Sequence, residues 1–262
     1  MAYWLVTHIP AWITGVLLIV ILPLATVAIQ AILRRAVPAL KKAEHNEVAG
    51  FLVAVIGVAY AIVAGFTIIV LWQNFTDAQN DTRVEALRAT DLEQGSRVFG
   101  PATQARLRRE IIAYNQSVID NWSKVKQGNA SPQVRANLDA MFITIQNLKA
   151  TTDAQRAFVN EAEARLLDLS NDRSNRIIAA REGHLPHLMW IAILVASAIT
   201  LMFALLFGLE NARLHYVMVA GVAAIIGTNL LLVVALNYPF AGDISVQPTS
   251  YRTVVQQLQS GQ

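Results

Sequence analysis

Four stretches of the chain contain no Asp, Glu, Lys or Arg: Ala11 to Leu33, Gly50 to Trp72, Leu185 to Leu209 and Leu214 to Leu236. At about 1.5 Å of rise per residue, each crosses a hydrocarbon core of roughly 30 Å, so each is predicted as a transmembrane helix. Met1 to Pro10 has no Lys or Arg and the run after it is long, which is the pattern of a retained span rather than a secretory signal. Trp12, Trp72, Trp190 and Tyr216 fall near the span ends, where amphipathic rings favour the headgroup layer.

Between the second and third spans the pattern changes to helices with one apolar stripe each. Leu107, Ile111, Tyr114, Val118, Trp122 and Val125 recur at threes and fours, as do Val134, Leu138, Phe142, Ile145 and Leu148. Gly100-Pro101 and Ser131-Pro132 punctuate the segment, with Pro suited to a first helical turn and Ser131 to an N-cap. The two stripes need partners, and these are expected from extensions of the spans, Phe75 to about Val98 and about Asp153 to Arg181. The expected fold is all-α: an integral membrane protein with four transmembrane helices and a helical-bundle insert. Its expected parts are an N-terminal helix pair (1–72), the insert (73–184), a C-terminal helix pair (185–236) and a tail (237–262).

Composition agrees with this division. Of 262 residues, 55% are hydrophobic and only 15% charged, against roughly 25% charged in an average soluble domain. Counted along the chain, 15 of 21 basic and 14 of 18 acidic residues lie between Gln73 and His184, so the insert is near neutral and has no dense basic face. Nucleic acid is therefore not an expected partner; the lipid bilayer is. The absence of cysteine removes disulfides, thiolate metal sites and cysteine nucleophiles.

An even number of spans puts both termini and the insert on one face of a cell membrane. Arg34, Arg35, Lys41, Lys42 and Arg213 in the two short loops would place those loops in the cytoplasm and export the insert. Arg83, Arg88, Arg173, Arg176 and Arg181 on the insert's own flanks nearly balance that count. The side of the insert stays open.

Candidate chemistry within the spans is sparse. Their polar residues are Thr14, Thr26, Gln30, Thr67, Ser197, Thr200, Thr228 and Asn229, and no titrating group is expected at membrane depth, which disfavours a proton-coupled carrier or an intramembrane protease. The second span has a small-residue stripe, Gly50, Ala54, Gly57, Ala61 and Ala64, with Gly57, Ala61 and Gly65 as a small-xxx-small ladder. Small residues let backbones approach closely in lipid. Two readings stand: packing within one subunit, or several copies gathered around an axis to make a conduit. His184 and His187 at the foot of the third span are read as interfacial histidines rather than metal ligands. Glu161, Glu163, Arg165 and Asp168 are read as a solvated helix face. No nucleophile motif or phosphate loop is present, so an enzyme is not expected, and neither is a cofactor or a metal.

The residues at the span junctions are more particular. After the second span comes Trp72-Gln73-Asn74-Phe75-Thr76-Asp77-Ala78, then Glu85-Ala86; before the third come Asn171-Asp172-Arg173-Ser174-Asn175-Arg176 and Leu185-Pro186-His187-Leu188-Met189-Trp190. After the fourth comes Asn237-Tyr238-Pro239-Phe240-Ala241-Gly242-Asp243-Ile244-Ser245-Val246. In order and spacing these resemble the bacterial bestrophin-like family of unknown function. That family shows a Trp-Gln-Asn/Asp-aromatic turn, an Asp/Glu-Arg-x-x-Arg, a Leu-Pro-x-x-x-Trp entry and a Pro-Phe-x-Gly tail. The resemblance covers about Gly50 to Leu258 and singles out Trp72, Asn74, Arg173, Arg176, Pro239, Phe240 and Gly242. Asn237 departs from it, standing where the family more often has an acid.

The family's name reflects a distant likeness to bestrophins, which are pentameric anion channels with four spans per subunit, a pore lined by the second span and a helical cytosolic region. The resemblance thus implies a homo-oligomer, a pentamer, with Gly50, Ala54, Gly57, Ala61 and Gly65 near the axis, and an insert in the cytosol, against the short-loop count. The expected function is an oligomeric channel for a permeant ion the sequence does not identify, small anions being the implied class. The alternative is a non-conducting sensor or scaffold whose insert binds a ligand or partner. In the tail, Pro239 is expected to end the fourth helix, Phe240 to lie against the membrane surface and Gly242 to permit a turn, as a structural strap or a gating segment.

Overall fold

The structure, a computed structural model, describes residues 2–37 and 46–260. Lys41 and Lys42 of the short-loop count lie outside the described residues. In chain order the helices are α1 (Ala2–His8), α2 (Ala11–Val16), a π-helical turn (Leu17–Ile21), α3 (Leu22–Ala36) and α4 (Asn46–Gly95). A 3-10 turn (Ser96–Phe99) leads to α5 (Pro101–Asp120), α6 (Trp122–Lys126), α7 (Pro132–Gln146) and α8 (Asp153–Arg181). Then come α9 (His187–Leu206), α10 (Ala212–Leu236) and α11 (Thr249–Ser260). Four helical stretches are long and apolar enough to cross a membrane: Ala11–Ala36, α4 with its 3-10 extension, α9 and α10.

The chain forms two units. The first comprises Met1–Asn74, Gly183–Tyr238 and Gly242–Ile244. Its organising element is α10, which packs along α3, the π-helical turn and α9. Pro23 lacks an N–H and its ring crowds the preceding turn, so the helix takes up an extra residue there, and the Leu22 N–H reaches back to the Leu17 carbonyl. The bulge presses the backbone of Leu18 against α10 at Gly227, where any β-carbon would collide with the Leu18 carbonyl oxygen. Outward-facing side chains are large and apolar, among them Phe51, Val58, Phe66, Leu188 and Val217, as lipid requires and water would not allow.

The second unit comprises Phe75–Glu182, Pro239–Ala241 and Ser245–Gln262. It has an ordinary closed core: Leu92, Leu107, Ile111, Tyr114, Met141, Ile145, Leu166, Leu169 and Tyr251 are all at most 1% exposed. Helix α5 is flanked by α7 and α11, and α7 packs on α8. The Thr152/Gln155 capping box opens α8: Thr152 Oγ1 accepts from the Gln155 N–H at 3.2 Å, and Gln155 Oε1 from the Thr152 N–H at 3.3 Å. Ser131 precedes α7 with extended backbone but makes no capping hydrogen bond, so its expected side-chain role is corrected; Pro132 at the first turn, with no N–H to satisfy, is what starts that helix.

Gly227→Ala is expected to lower the unfolding free energy by about 1–3 kcal/mol, seen as a reduced Tm of the detergent-solubilised protein. Gly221→Ala, whose β-carbon meets open space on the same helix, should leave Tm unchanged.

Candidate functional site

Within the first unit, the face that α4 turns inward is Tyr60, Ala64, Thr67 and Leu71, none more than 6% exposed. The small-residue stripe lies beside it. Ala54 and Ala61 are exposed, and a β-carbon at Gly57 or Gly65 would meet nothing within 4 Å. Gly50 faces the Phe207 ring, at 3.6 Å from where a β-carbon would stand, and with Ala54, His215 and Met218 lines an apolar cavity of about 280 Å³. Packing within one chain therefore accounts for Ala64 but not for the Gly57-Ala61-Gly65 ladder.

Most polar groups in the spans are satisfied locally. The hydroxyls of Thr26, Thr67, Ser197, Thr200 and Thr228 each donate to the carbonyl four residues back, at 2.7–2.8 Å. The expectation of no titrating group at membrane depth is corrected at the helix ends. Arg34, in the last turn of α3, and His215, in the first turn of α10, are both buried. Arg34 Nη1 donates to the Leu209 carbonyl at 2.7 Å and lies 3.1 Å from His215 Nδ1, while its Nη2 donates to the Glu210 carbonyl at 3.2 Å. Gln30 Nε2 also lies 3.1 Å from His215 Nδ1. Arg34 can only donate, so Nδ1 accepts and the imidazole proton belongs on Nε2, which lies 3.4 Å from the Ala204 carbonyl and 3.3 Å from the Gln30 amide nitrogen. Arg34, counted among the short-loop cations, is thus committed to the carbonyls of the other short loop.

In the second unit the central feature is an ion pair. Arg176 Nε donates to Glu85 Oε2 at 2.6 Å and its Nη2 to Glu85 Oε1 at 3.0 Å, with both side chains 3% exposed or less. The Tyr114 hydroxyl donates to Glu85 Oε1 at 2.7 Å. The Arg176 guanidinium carbon lies 5.8 Å from the Trp122 ring centroid and 5.9 Å from that of Tyr251, within cation–π range. Burial opposes the charge on Arg176, but the Glu85 carboxylate together with the Tyr251 and Tyr114 phenols outweighs it, so the arginine proton is held more tightly than usual. Burial, and after it the Glu85 charge, pushes the Tyr114 phenol well above its ordinary value; burial does the same to Tyr251. Arg88, paired with Asp172 at 2.5 Å and Asp168 at 3.0 Å, and Arg165, paired with Asp91 and Glu161, extend the α4–α8 contact outward.

The junction residues separate between the units. Trp72 is exposed and Asn74 half-buried in the first; Arg173 and Arg176 are buried on α8 in the second. Pro239 and Phe240 are buried in the second unit, and Phe240 meets the Trp122 ring edge at 6.2 Å between centroids. The expected place of Phe240 on the membrane surface is corrected: at 1% exposed it is a core residue, because Pro239 turns the chain at the end of α10. Gly242 has φ +76° and a β-carbon there would press on Val6. Asn237 is buried; its Oδ1 accepts the Leu185 N–H at 2.8 Å and its carbonyl the His184 N–H at 3.2 Å, two acceptor roles that need no carboxylate. Among the described residues no group of three or more metal-ligating side chains converges, at His184 and His187 or elsewhere. Sequence reasoning took Tyr114 and Trp122 for plain stripe residues and missed Tyr251. The available signal was a charge on an apolar face: Glu85 stands with Ala78, Thr82, Ala89 and Leu92, and Arg176 with Leu169 and Ala180.

Four apolar helices with lipid-facing side chains and a closed helical bundle with a buried ion pair define an all-helical membrane protein. A family model described as the Bestrophin-like domain matches residues 20–251, and the chain belongs to that family. No curated protein matches it in sequence. Among solved structures it is similar to a bacterial bestrophin homologue from Klebsiella pneumoniae. A form of that protein phased on zinc is 15% identical, covering 92% of this chain and 97% of that one with a TM-score of 0.69. A Leu-to-Thr variant is 17% identical, covering 93% and 99% with a TM-score of 0.70. A structure described only as a membrane protein variant is 15% identical, covering 92% and 97% with a TM-score of 0.69. At these identities the likeness is one of fold.

Replacing Glu85 with Leu leaves Arg176 buried and uncompensated, an expected cost of about 3–5 kcal/mol; Glu85→Leu combined with Arg176→Met should recover most of it in chemical unfolding of the solubilised protein. A second expectation concerns alkali. Because folding raises the Tyr114 and Tyr251 values, their contribution to stability is complete below the ordinary phenol value of 10.0 and is lost as pH rises from there through the raised values. Thermal unfolding should therefore shift downward with alkali, with a shallower slope in Tyr114→Phe and Tyr251→Phe.

Proposed function

We propose that the chain is one subunit of a homo-oligomeric, channel-forming protein of the cell membrane, with the membrane-spanning part of α4 nearest the axis. The observation that supports this is the unpacked ladder Gly57, Ala61 and Gly65, a row of small residues with open space before it in the middle of an apolar span. In lipid such a row has two uses, close approach to another helix or the wall of a narrow conduit, and a ring of copies supplies both. Family membership and the fold shared with the Klebsiella pneumoniae homologue support the same reading. A pentamer and small anions as the permeant species come from the resemblance to bestrophins. Trp72 and Asn74 stand at the end of the span in this arrangement, and the resemblance to bestrophins, against the short-loop charge count, would put the insert in the cytosol.

The alternative, a non-conducting sensor or scaffold, draws on the continuity of α4, which passes from the span into the second unit without a break over 50 residues. Long helices of this kind suit relays as well as pores. Copy number separates the two: a closed ring with a central opening supports conduction, a dimer with sealed spans supports sensing.

Reconstituted in planar bilayers, the protein should pass ionic current. Gly57→Leu and Ala61→Leu should reduce unitary conductance several-fold, while Phe66→Leu, exposed on a different face of the helix, leaves it unchanged. Silence of the purified protein under all voltages and salt gradients would overturn the reading.

A further inference from the structure

The ion pairs between α4 and α8 fix an antiparallel register: Glu85 stands across from Arg176, Arg88 from Asp172 and Asp91 from Arg165. The inward face of α8 runs through Leu166, Leu169, Arg173, Arg176 and Ala180, so two arginines one turn apart occupy seam positions where leucine is the ordinary choice. Only one of them has a carboxylate. Glu85 spends both oxygens on Arg176 and Tyr114, and Asp172 and Asp168 are engaged by Arg88. Arg173, 9% exposed, makes no hydrogen bond or ion pair with any described residue. By the same register α4 brings Ala86 and Ala89 to its level, both fully buried, and neither can answer a charge.

Further unmet polar groups lie at the same place. Arg176 Nη1 and the Trp122 indole N–H are buried without a partner, and the Trp122 and Tyr251 rings are 5.9 Å apart, each beside the Arg176 guanidinium. The seam thus holds two guanidinium charges against one carboxylate, and the unmet groups beside Arg176 are donors. Water would satisfy donors but leave the surplus charge. An anion satisfies both.

We propose that the Arg173–Arg176 turn of α8 binds one small monovalent anion, of halide or nitrate size, held between the Arg173 guanidinium and the free Nη1 of Arg176, with Trp122 Nε1 as a neighbouring donor. A single negative charge balances the seam, whereas a doubly charged oxyanion would overshoot it. The remaining exposure of Arg173 is the way in. The site is independent of conduction: it lies within the second unit and serves to complete the bundle's charge balance, whether or not the spans form a pore.

The test uses the full chain in detergent. Its Tm is compared in sodium bromide or nitrate and in sodium gluconate at equal ionic strength, and crystals grown in bromide are examined for anomalous scattering. A saturable, anion-specific rise in Tm is expected, with apparent bromide affinity weakened by about tenfold or more in Arg173→Gln and less so in Arg173→Lys. A bromide peak between Arg173 and Arg176 is expected in the unaltered protein, and this carries the test if Arg173→Gln does not fold. Equal Tm in bromide and gluconate, an undiminished response in Arg173→Gln, water alone at the site, an adventitious ion only, or a carboxylate of a second copy on Arg173 would each overturn the proposal. None of these readouts involves current, so the channel reading and this one fail separately.

Discussion

In hydrocarbon a polar group has no water to turn to, and two apolar helices gain nothing by hiding from it. The first unit is built around both facts. Its span hydroxyls bond to the carbonyl four residues back, and Gln30 and Arg34 are folded onto His215 and the loop carbonyls of Leu209 and Glu210. Cohesion comes instead from contact at close range, as where Gly227 admits the backbone of Leu18. In such a solvent an unfilled row of glycine and alanine costs a single subunit little, which is why Gly57 and Gly65 can stand open.

Helix α4 shows the same chain obeying two solvents in turn. Up to Trp72 its large apolar side chains point outward, Phe51, Val58 and Phe66 among them. Beyond Phe75 the order inverts: Ala78, Ala86, Ala89 and Leu92 are buried while Asp77, Asp81 and Asp91 are exposed. The inversion also explains why its most deeply buried charge, Glu85, is so consequential. In the watery part of the molecule a carboxylate has an easy alternative outside the core, so holding one inside requires the complete set of Arg176, Tyr114 and the aromatic rings around them.

The gross architecture was legible because it rests on terms that add up along the chain. Charge-free runs of more than twenty residues, Pro at the first turns of α5 and α7, and stripes at threes and fours located every long helix, several to within a residue or two. What stayed hidden depended on partners far apart in the chain. Nothing local distinguishes Tyr251 from any other aromatic in an amphipathic tail, and its place beside Arg176 follows only from the turn at Pro239 that carries α11 back to α5. Phe240 was misplaced for the same reason, since an aromatic after a span suits the headgroups equally well until the path of the tail is known. His215 was visible in the sequence but lost among apolar neighbours at a span end. Arg173 and Arg176 were noticed for the company they keep, not for the apolar seam they interrupt.

The π-helical turn before Pro23 has one more consequence, for the phase of the first span. Its inward positions run Thr14, Leu18, Pro23, Thr26, Gln30 and Arg34, in steps of four, five, three, four and four. The single five is the bulge. Carried back from Pro23 at an unbroken 3.6 residues per turn, the same face would have passed through Ile19, Val16 and Trp12, all of which point outward. One extra residue thus rotates everything upstream by about 100°, trading a bulky flank for Thr14 and Leu18 against α10. A helical wheel drawn for this segment has to be drawn twice, once on either side of the frameshift.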